Sequence, residues 1–282
     1  MSLSTMLVAE DLSAVGGISL SSALPVLTAM QYDVAALPTS LLSTHTSGYG
    51  TPAVVDLSTW LPQVFAHWTR AQLHFDQALI GYVGSVALCQ QITTYLEQQT
   101  LSLLVVDPVL GDLGQLYQGF DQDYVAAMRQ LIQQADVILP NTTEAALLTG
   151  APYQVTPDLE VILPALQAQL KTGAHAVITD VQRADQIGCA WLDEAGHVQY
   201  CGARRLPGHY NGTGDTLAAV IAGLLGRGYP LAPTLARANQ WLNMAVAETI
   251  AQNRTDDRQG VALGDLLQAI LALNEGHHHH HH

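Results

Sequence analysis

Asn211-Gly212-Thr213-Gly214-Asp215-Thr216-Leu217-Ala218-Ala219 reads as a glycine-rich turn running directly into a helix of small residues, with a carboxylate at the junction. Two glycines let backbone N–H groups converge on one point, and the start of the helix adds partial positive charge there. An anion belongs at such a point. Asp215 beside an anion is repulsive unless the carboxylate performs chemistry. A general base that takes the proton of an acceptor hydroxyl during phosphoryl transfer meets that condition. A glycine pair closing one helix, followed by an aspartate capping the next, fits the same letters. The segment alone leaves both readings open.

Working outward, short apolar runs alternate with amphipathic stretches along the whole chain. Strand-like runs are Met6–Ala9, Tyr32–Leu37, Ala78–Tyr82, Leu101–Asp107, Asp136–Pro140, Ala174–Asp180 and Ile187–Leu192. Helix-like stretches lie near 18–31, 58–72, 85–99, 122–134, 143–149, 158–172, 214–226, 232–252 and 264–273. Near-continuous apolar strands separated by helices predict an α/β fold, a mostly parallel central sheet with helices on both faces. No linker or repeat divides the chain, so one domain is expected over residues 4–274. Glu275-Gly276 and His277 to His282 read as a linker and purification tag, and Met1-Ser2-Leu3 as a cloning remnant.

Ligands of doubly wound sheets bind outside the carboxyl ends of the strands. Asp11, Ser13, the 39–49 loop, Gly81-Tyr82, Asp107, Asn141 and Thr179 all follow strand ends and should converge on one edge. The stretch 38–56 is small, polar and long, which suits either an active-site flap or a plain surface loop.

Composition narrows the partners. Ten Lys and Arg stand against 24 Asp and Glu, a formal net charge of −14. Such a surface repels nucleic acid and anionic membrane. A bound nucleotide must then be held by backbone dipoles and a metal more than by lysines. Cys89, Cys189 and Cys201 form no CxxC pair, and buried inert thiols in a reducing compartment are expected. With no charged-then-apolar leader and no long apolar run, a cytoplasmic location is expected.

Three further clusters carry chemistry. Asp107-Pro108-Val109-Leu110-Gly111-Asp112 puts a carboxylate at the mouth of a buried strand, either a turn initiator or a group beside a metal–phosphate cluster. Asn141 and Glu144 stand three apart at a helix start. That spacing suits a capping box, and equally a phosphate-side amide with a carboxylate that holds Mg²⁺ through water. His45 in the flap and Tyr82 between Gly81 and Gly84 are candidate contacts to an aromatic ligand, or a solvated histidine and a core aromatic. No Walker A segment, Gly-x-Ser-x-Gly elbow or histidine metal cluster is present.

Together these residues resemble the ribokinase-like superfamily, and within it the pyridoxal (vitamin B6) kinase branch. The resemblance spans about residue 6 to about 273. It rests on Asp11-Leu12-Ser13-Ala14-Val15-Gly16, Ala23-Leu24-Pro25-Val26-Leu27, Leu37-Pro38-Thr39, Leu42-Ser43-Thr44-His45-Thr46, Gly81-Tyr82-Val83-Gly84-Ser85, the Asp107 to Asp112 and Pro140 to Glu144 segments, and Gly212-Thr213-Gly214-Asp215. It implies ATP-dependent phosphorylation of the 5′-hydroxymethyl group of pyridoxal, pyridoxine or pyridoxamine, by a homodimer. Asp215 is then the base, and Gly212, Thr213 and Gly214 form the anion hole. Asp107 and Glu144 face Mg²⁺, with K⁺ or Na⁺ assisting. Asn141 and Thr179 contact ATP. Asp11, Ser13, His45, Thr46 and Tyr82 line the vitamer pocket, and Tyr117 helps close the site. Three places depart from relatives: Asp180 adds negative charge where Ser or Thr is common, Gln31 replaces a common Gly at a turn, and Asp11-Leu12-Ser13 replaces Gln-Ser-His. The alternatives are a hydroxymethylpyrimidine kinase of thiamine synthesis, a sugar kinase, or a non-catalytic ligand-binding regulator on the same fold.

Overall fold

A computed structural model describes residues 3–253 and 257–278. Eleven strands and nine helices are found among them. In chain order they are β1 (Thr5–Val15), α1 (Leu20–Ala29), β2 (Asp33–Thr44), β3 (Val54–Asp56), α2 (Trp60–Arg70), β4 (Gln77–Ile80), α3 (Val86–Glu97), β5 (Leu103–Val106), β6 (Gly111–Asp112), β7 (Gln115–Leu116), α4 (Gln122–Ile132), β8 (Val137–Ile138), α5 (Thr142–Thr149), α6 (Leu159–Gln167), β9 (His175–Arg183), β10 (Gln186–Leu192), β11 (Val198–Arg204), α7 (Thr213–Gly226), α8 (Leu231–Ala251) and α9 (Gly264–His278). A single 3-10 turn at Asp257–Gln259 precedes α9. Met1, Ser2 and the tag residues His279 to His282 lie outside the described residues; α9 itself carries on through Gly276.

The main sheet has nine strands in the order β11-β10-β9-β8-β5-β4-β1-β2-β3. Its six inner strands, β9 to β2 in that order, are parallel, while the outer pairings β2–β3, β9–β10 and β10–β11 are antiparallel. Both faces are covered, and the side chains alternate between two cores with period two. Leu7 and Ala9, Ala78 and Ile80, Leu104 and Val106 pack with α2, α3 and α4. Met6 and Val8, Leu79 and Val105 pack with α1, α7 and α8. The expected α/β architecture is therefore the observed one. Burial on both faces explains why these strands read as continuous apolar runs.

Two edges differ from the sequence reading. β1 does not end at Ala9 but continues to Val15, with its register to β2 shifting between Glu10 and Leu12. Asp11 and Ser13 thus lie inside a bulged strand, not after one. A bulge re-aims side chains at a sheet rim, and this one falls where Glu10 sits opposite Pro38, which has no N–H to donate. The 38–56 stretch is likewise more ordered than a loop. β2 runs through it to Thr44 and pairs with β3, Ser40 opposite Asp56 and Leu42 opposite Val54, so only 45–53 forms a tip.

Candidate active site

α7 carries the quoted glycine-rich stretch. Its N-cap is Gly212 at φ +79°, a left-handed conformation that costs a glycine little, and no side chain caps the helix. A Cβ at this position would also meet Ile18 Cγ2 at 2.6 Å. The helix-forming reading of 214–226 is correct, and the Asp-as-N-cap alternative is not what forms. Asp215 lies inside the first turn, and its Oδ2 accepts the backbone N–H of Ser19 at 3.0 Å. Burial and the Asp11 carboxylate push Asp215 up to about 6, while hydrogen bonds from Ser19 act the other way.

Ser19 was not singled out in the sequence. It is buried, takes a positive φ of 51°, and its hydroxyl is within hydrogen-bond reach of both Asp11 and Asp215. The signal was present: Gly16-Gly17-Ile18-Ser19 is a second glycine pair running into a helix. Its backbone N–H is spent on the carboxylate of the first.

Glu10 was also missed. It is 2% exposed, its side chain packs on Gly81, and Oε2 has no hydrogen-bond partner. Burial, followed by Asp215, Asp11 and Asp107, drives its carboxyl well above the usual range. The bulge of β1 and the carboxyl end of β5 thus gather Glu10, Asp11 and Asp107 opposite Asp215 of α7. Asp107 is itself raised by burial, then by Glu144 and Asp215. The ion pairs found among the described residues, Lys171–Asp136 and His197–Asp193, involve none of these carboxylates.

α5 begins differently. Asn141 Oδ1 accepts the Glu144 N–H at 2.7 Å and Glu144 Oε1 accepts the Asn141 N–H at 2.9 Å, a complete capping box. The capping reading of this motif is the one that forms. Glu144 Oε2 also accepts the Leu110 N–H at 2.7 Å, and Asn141 Nδ2 donates to the Gly111 carbonyl at 3.0 Å. Burial raises Glu144, and three backbone N–H groups oppose the rise. Those N–H groups favour the charged form of Glu144, and that charge in turn helps to raise Asp107. Asp180, at φ +46°, adds a second cap: its Oδ1 accepts the Thr142 N–H at 2.9 Å. Burial lifts Asp180 to about 6. Thr179 sits beside it, its N–H bonded to Pro140 O at 2.9 Å.

On the acceptor side, Ser13 is buried with an unpartnered Oγ, and Tyr82 is half-buried against Phe120 with centroids 5.8 Å apart. Burial and then Asp11 raise the Tyr82 phenol. His45 is not solvated. Its ring is buried, Nδ1 accepts the Ser47 N–H at 3.0 Å, and Nε2 bonds the Arg258 carbonyl, so in the neutral ring the proton sits on Nε2. Thr46 is exposed at the tip. Tyr117 follows β7, and burial plus Glu144, Asp112, Asp107 and Asp215 raise its phenol. Cys89, Cys189 and Cys201 are free thiols; Cys89 and Cys189 are buried and pushed up to about 12, as inert thiols are. No described helix is long and apolar enough to cross a membrane.

Comparison with known proteins places the whole fold. The phosphomethylpyrimidine kinase family model matches residues 17–258. A crystal structure of pyridoxal kinase from Lactobacillus plantarum is 99% identical, covers 100% of both chains and superposes with a TM-score of 0.96. A Bacteroides thetaiotaomicron structure, provisionally described as a phosphomethylpyrimidine kinase and solved with pyridoxal, is 33% identical over 95% of this chain and 96% of that one, TM-score 0.88. A Caenorhabditis elegans relative provisionally named a pyridoxal kinase is 30% identical over 52% of this chain, and the match spans only 48% of that protein. The Haemophilus influenzae hydroxymethylpyrimidine/phosphomethylpyrimidine kinase is 28% identical over 61% of this chain and 65% of its own length. The two solved structures share the fold over essentially their whole chains, and this chain belongs to the phosphomethylpyrimidine kinase family of the ribokinase-like superfamily, in its pyridoxal kinase branch.

Proposed function

We propose that the chain transfers the γ-phosphoryl group of ATP to the 5′-hydroxymethyl group of pyridoxal, pyridoxine or pyridoxamine. One observation carries the reading: the α7 N-terminus has no side-chain cap, and Asp215 stands in its first turn, oriented by the Ser19 N–H. The N–H groups of Gly212, Thr213 and Gly214 would face the transferring phosphoryl group, where charge develops, and need no reorganisation to do so. Asp215 would take the hydroxyl proton as the new P–O bond forms. Raised only to about 6, it stays mostly ionised at neutral pH and is a better base than an exposed aspartate.

The carboxylate cluster also fits a divalent cation. Asp107 is buried beside two other carboxylates with no cationic partner among the described residues. No three His, Cys, Asp or Glu among those residues are close enough to ligate a metal. That suits Mg²⁺, which keeps its waters and takes one or two carboxylates together with substrate phosphates. Asp107 would hold it directly or through water, and Glu144, committed to backbone N–H groups, would set the charge behind it. When bound, Mg²⁺ neutralises the charge on the phosphates. Asn141 and Thr179 border the nucleotide side, and Asp11, Ser13, His45 and Tyr82 the vitamer side. A K⁺ or Na⁺ requirement and a homodimer belong to the same reading.

Pyridoxal in the Bacteroides relative supports a B6 vitamer. The pyrimidine-kinase names of several relatives keep hydroxymethylpyrimidine as the second acceptor to test. The experiment measures ADP release and phosphorylated product with MgATP and, separately, pyridoxal, pyridoxine, hydroxymethylpyrimidine and ribose, beside Asp215→Asn. A phosphorylated vitamer that disappears in the variant is the expected result. Product from the pyrimidine alone would keep the chemistry and replace the substrate. No product with any acceptor would refute the kinase reading.

A further inference from the structure

Four contacts converge on a short strap, Arg258-Gln259, between α8 and α9. The Arg258 guanidinium lies over the Tyr49 ring, 4.2 Å from its centroid, and Nη1 donates to the Gly48 carbonyl at 2.9 Å. The Arg258 carbonyl accepts from His45 Nε2. One residue on, the Gln259 carbonyl accepts the Gly17 N–H at 2.9 Å. Gly17 belongs to the turn whose Ser19 N–H holds Asp215. The tip itself is folded inward by the same residues: the His45 and Tyr49 rings meet edge to face at 5.2 Å, and Gly48 adopts φ +86° with Arg258 Cδ 2.6 Å from where a Cβ would stand.

We propose that Arg258 is a positioning residue that latches the tip of the β2–β3 arm, residues 45–49, against the acceptor side of the site. The strap fastens both halves of the acceptor site at once. Its side chain holds the arm that carries His45, and its backbone holds the turn that orients the base. Separate atoms make the two attachments, so they can be broken separately. Removing the Arg258 side chain takes the stack and the Gly48 bond away from the arm, which loosens it although His45 keeps the backbone carbonyl of residue 258, and leaves the Gln259–Gly17 bond, and with it Asp215, in place. An unlatched arm lowers the population of the covered site, which weakens acceptor binding in proportion and leaves the nucleotide side untouched. This inference rests on the kinase reading above for its choice of acceptor, though not for the latch itself.

The test uses the full chain, wild type, Arg258→Ala, Tyr49→Ala, the double variant and Arg258→Lys. In ligand-free protein, amide hydrogen exchange over 45–53 should quicken about tenfold in Arg258→Ala, the size expected for losing a stacking contact and a hydrogen bond. In turnover, KM for pyridoxal should rise about tenfold while KM for ATP stays within about twofold and the acid limb of the pH profile does not move. The double variant should fall short of the product of the two single effects, because both remove the Arg258–Tyr49 stack. Arg258→Lys, which keeps a donor for Gly48 but loses the planar stack, should fall between. Unchanged exchange at the tip, an equal rise in both KM values, or multiplying effects in the double variant would overturn the latch. If the wild type phosphorylates no vitamer, the acceptor assignment fails, and the exchange measurement still decides the latch.

Discussion

Helices α5 and α7 both begin beside the carboxylate cluster at the sheet edge, and they treat their first N–H groups in opposite ways. At α5 the chain supplies its own acceptors: Asn141 takes the Glu144 N–H and Asp180 takes the Thr142 N–H. At α7 no side chain does so, and a glycine occupies the N-cap. Orphan N–H groups at a helix start need partners, whether from side chains, water or ligands. α5 is a structural terminus closed by the chain itself, and α7 is a terminus that, in the function proposed above, the chain leaves for an anion. The carboxylates divide in the same way. Glu144 faces backbone N–H groups, whereas Asp215 is held by Ser19, through its N–H and hydroxyl, and otherwise faces other acids.

The largest expected effect is at α7. Asp215→Asn keeps the shape and removes the base, so kcat should fall on the order of 10²–10⁴-fold with ATP binding retained. Unchanged turnover would remove Asp215 from the chemistry and erase the contrast. Gly212→Val comes next. The left-handed φ and the approach to Ile18 force the loop to move, and a displacement of the anion hole by about 1 Å costs on the order of 10²-fold. Wild-type kcat in that variant would show that the loop geometry does not matter.

Acid pH tests the same helix without mutation. The base works ionised and its carboxyl is held at about 6, so kcat/KM should fall about tenfold per unit as pH drops below that value. The folded value lies above that of a free aspartate, so this group also favours the fold at low pH. That contribution disappears as pH rises through about 6. An acid limb that stays in place in the residual activity of Asp215→Asn would assign it to another group.

At α5 the expected effects are on stability. Asn141→Ala removes the box and should cost about 1 kcal/mol, roughly 2–4 °C in melting temperature, with a far smaller loss of kcat than Asp215→Asn. The smallest change expected is in Asp180→Ser, which keeps a weaker cap and deletes one negative charge beside Thr179. KM for ATP should drop a few-fold, the scale of one partly screened charge. A rise in that KM would mean that Asp180 helps hold the nucleotide side together. If Asn141→Ala matched Asp215→Asn in turnover, the two helix starts would not differ in role.

Most of the architecture was readable because inner parallel strands are buried on both faces, and each of the seven expected strands is present. Val198–Arg204 escaped notice since an edge strand that is only half-buried carries Gln199, Gly202 and Arg204 among its apolar residues. β2 was cut short at Leu37 because Pro38 and the polar 39–44 look like a loop; their pairing to β1 and β3 is long-range. The site was half legible. Asp215, Asp107 and the Asn141–Glu144 box stand in local motifs. Glu10 and Ser19 do not, because what marks them is an unpartnered buried oxygen and a backbone N–H aimed 196 residues along the chain.

By itself, the sequence determined the alternation of strand and helix, the glycine-led start of α7 and the excess of acid over base, for these follow from local periodicity, backbone freedom and composition. Tertiary structure decided which capping pattern becomes a brace and which stays open. It decided that His45 reaches the Arg258 carbonyl instead of solvent, and that Glu10 lies in the floor of the site. Those outcomes depend on contacts between residues far apart in the chain, whose partners are chosen only when the sheet brings the strand ends together.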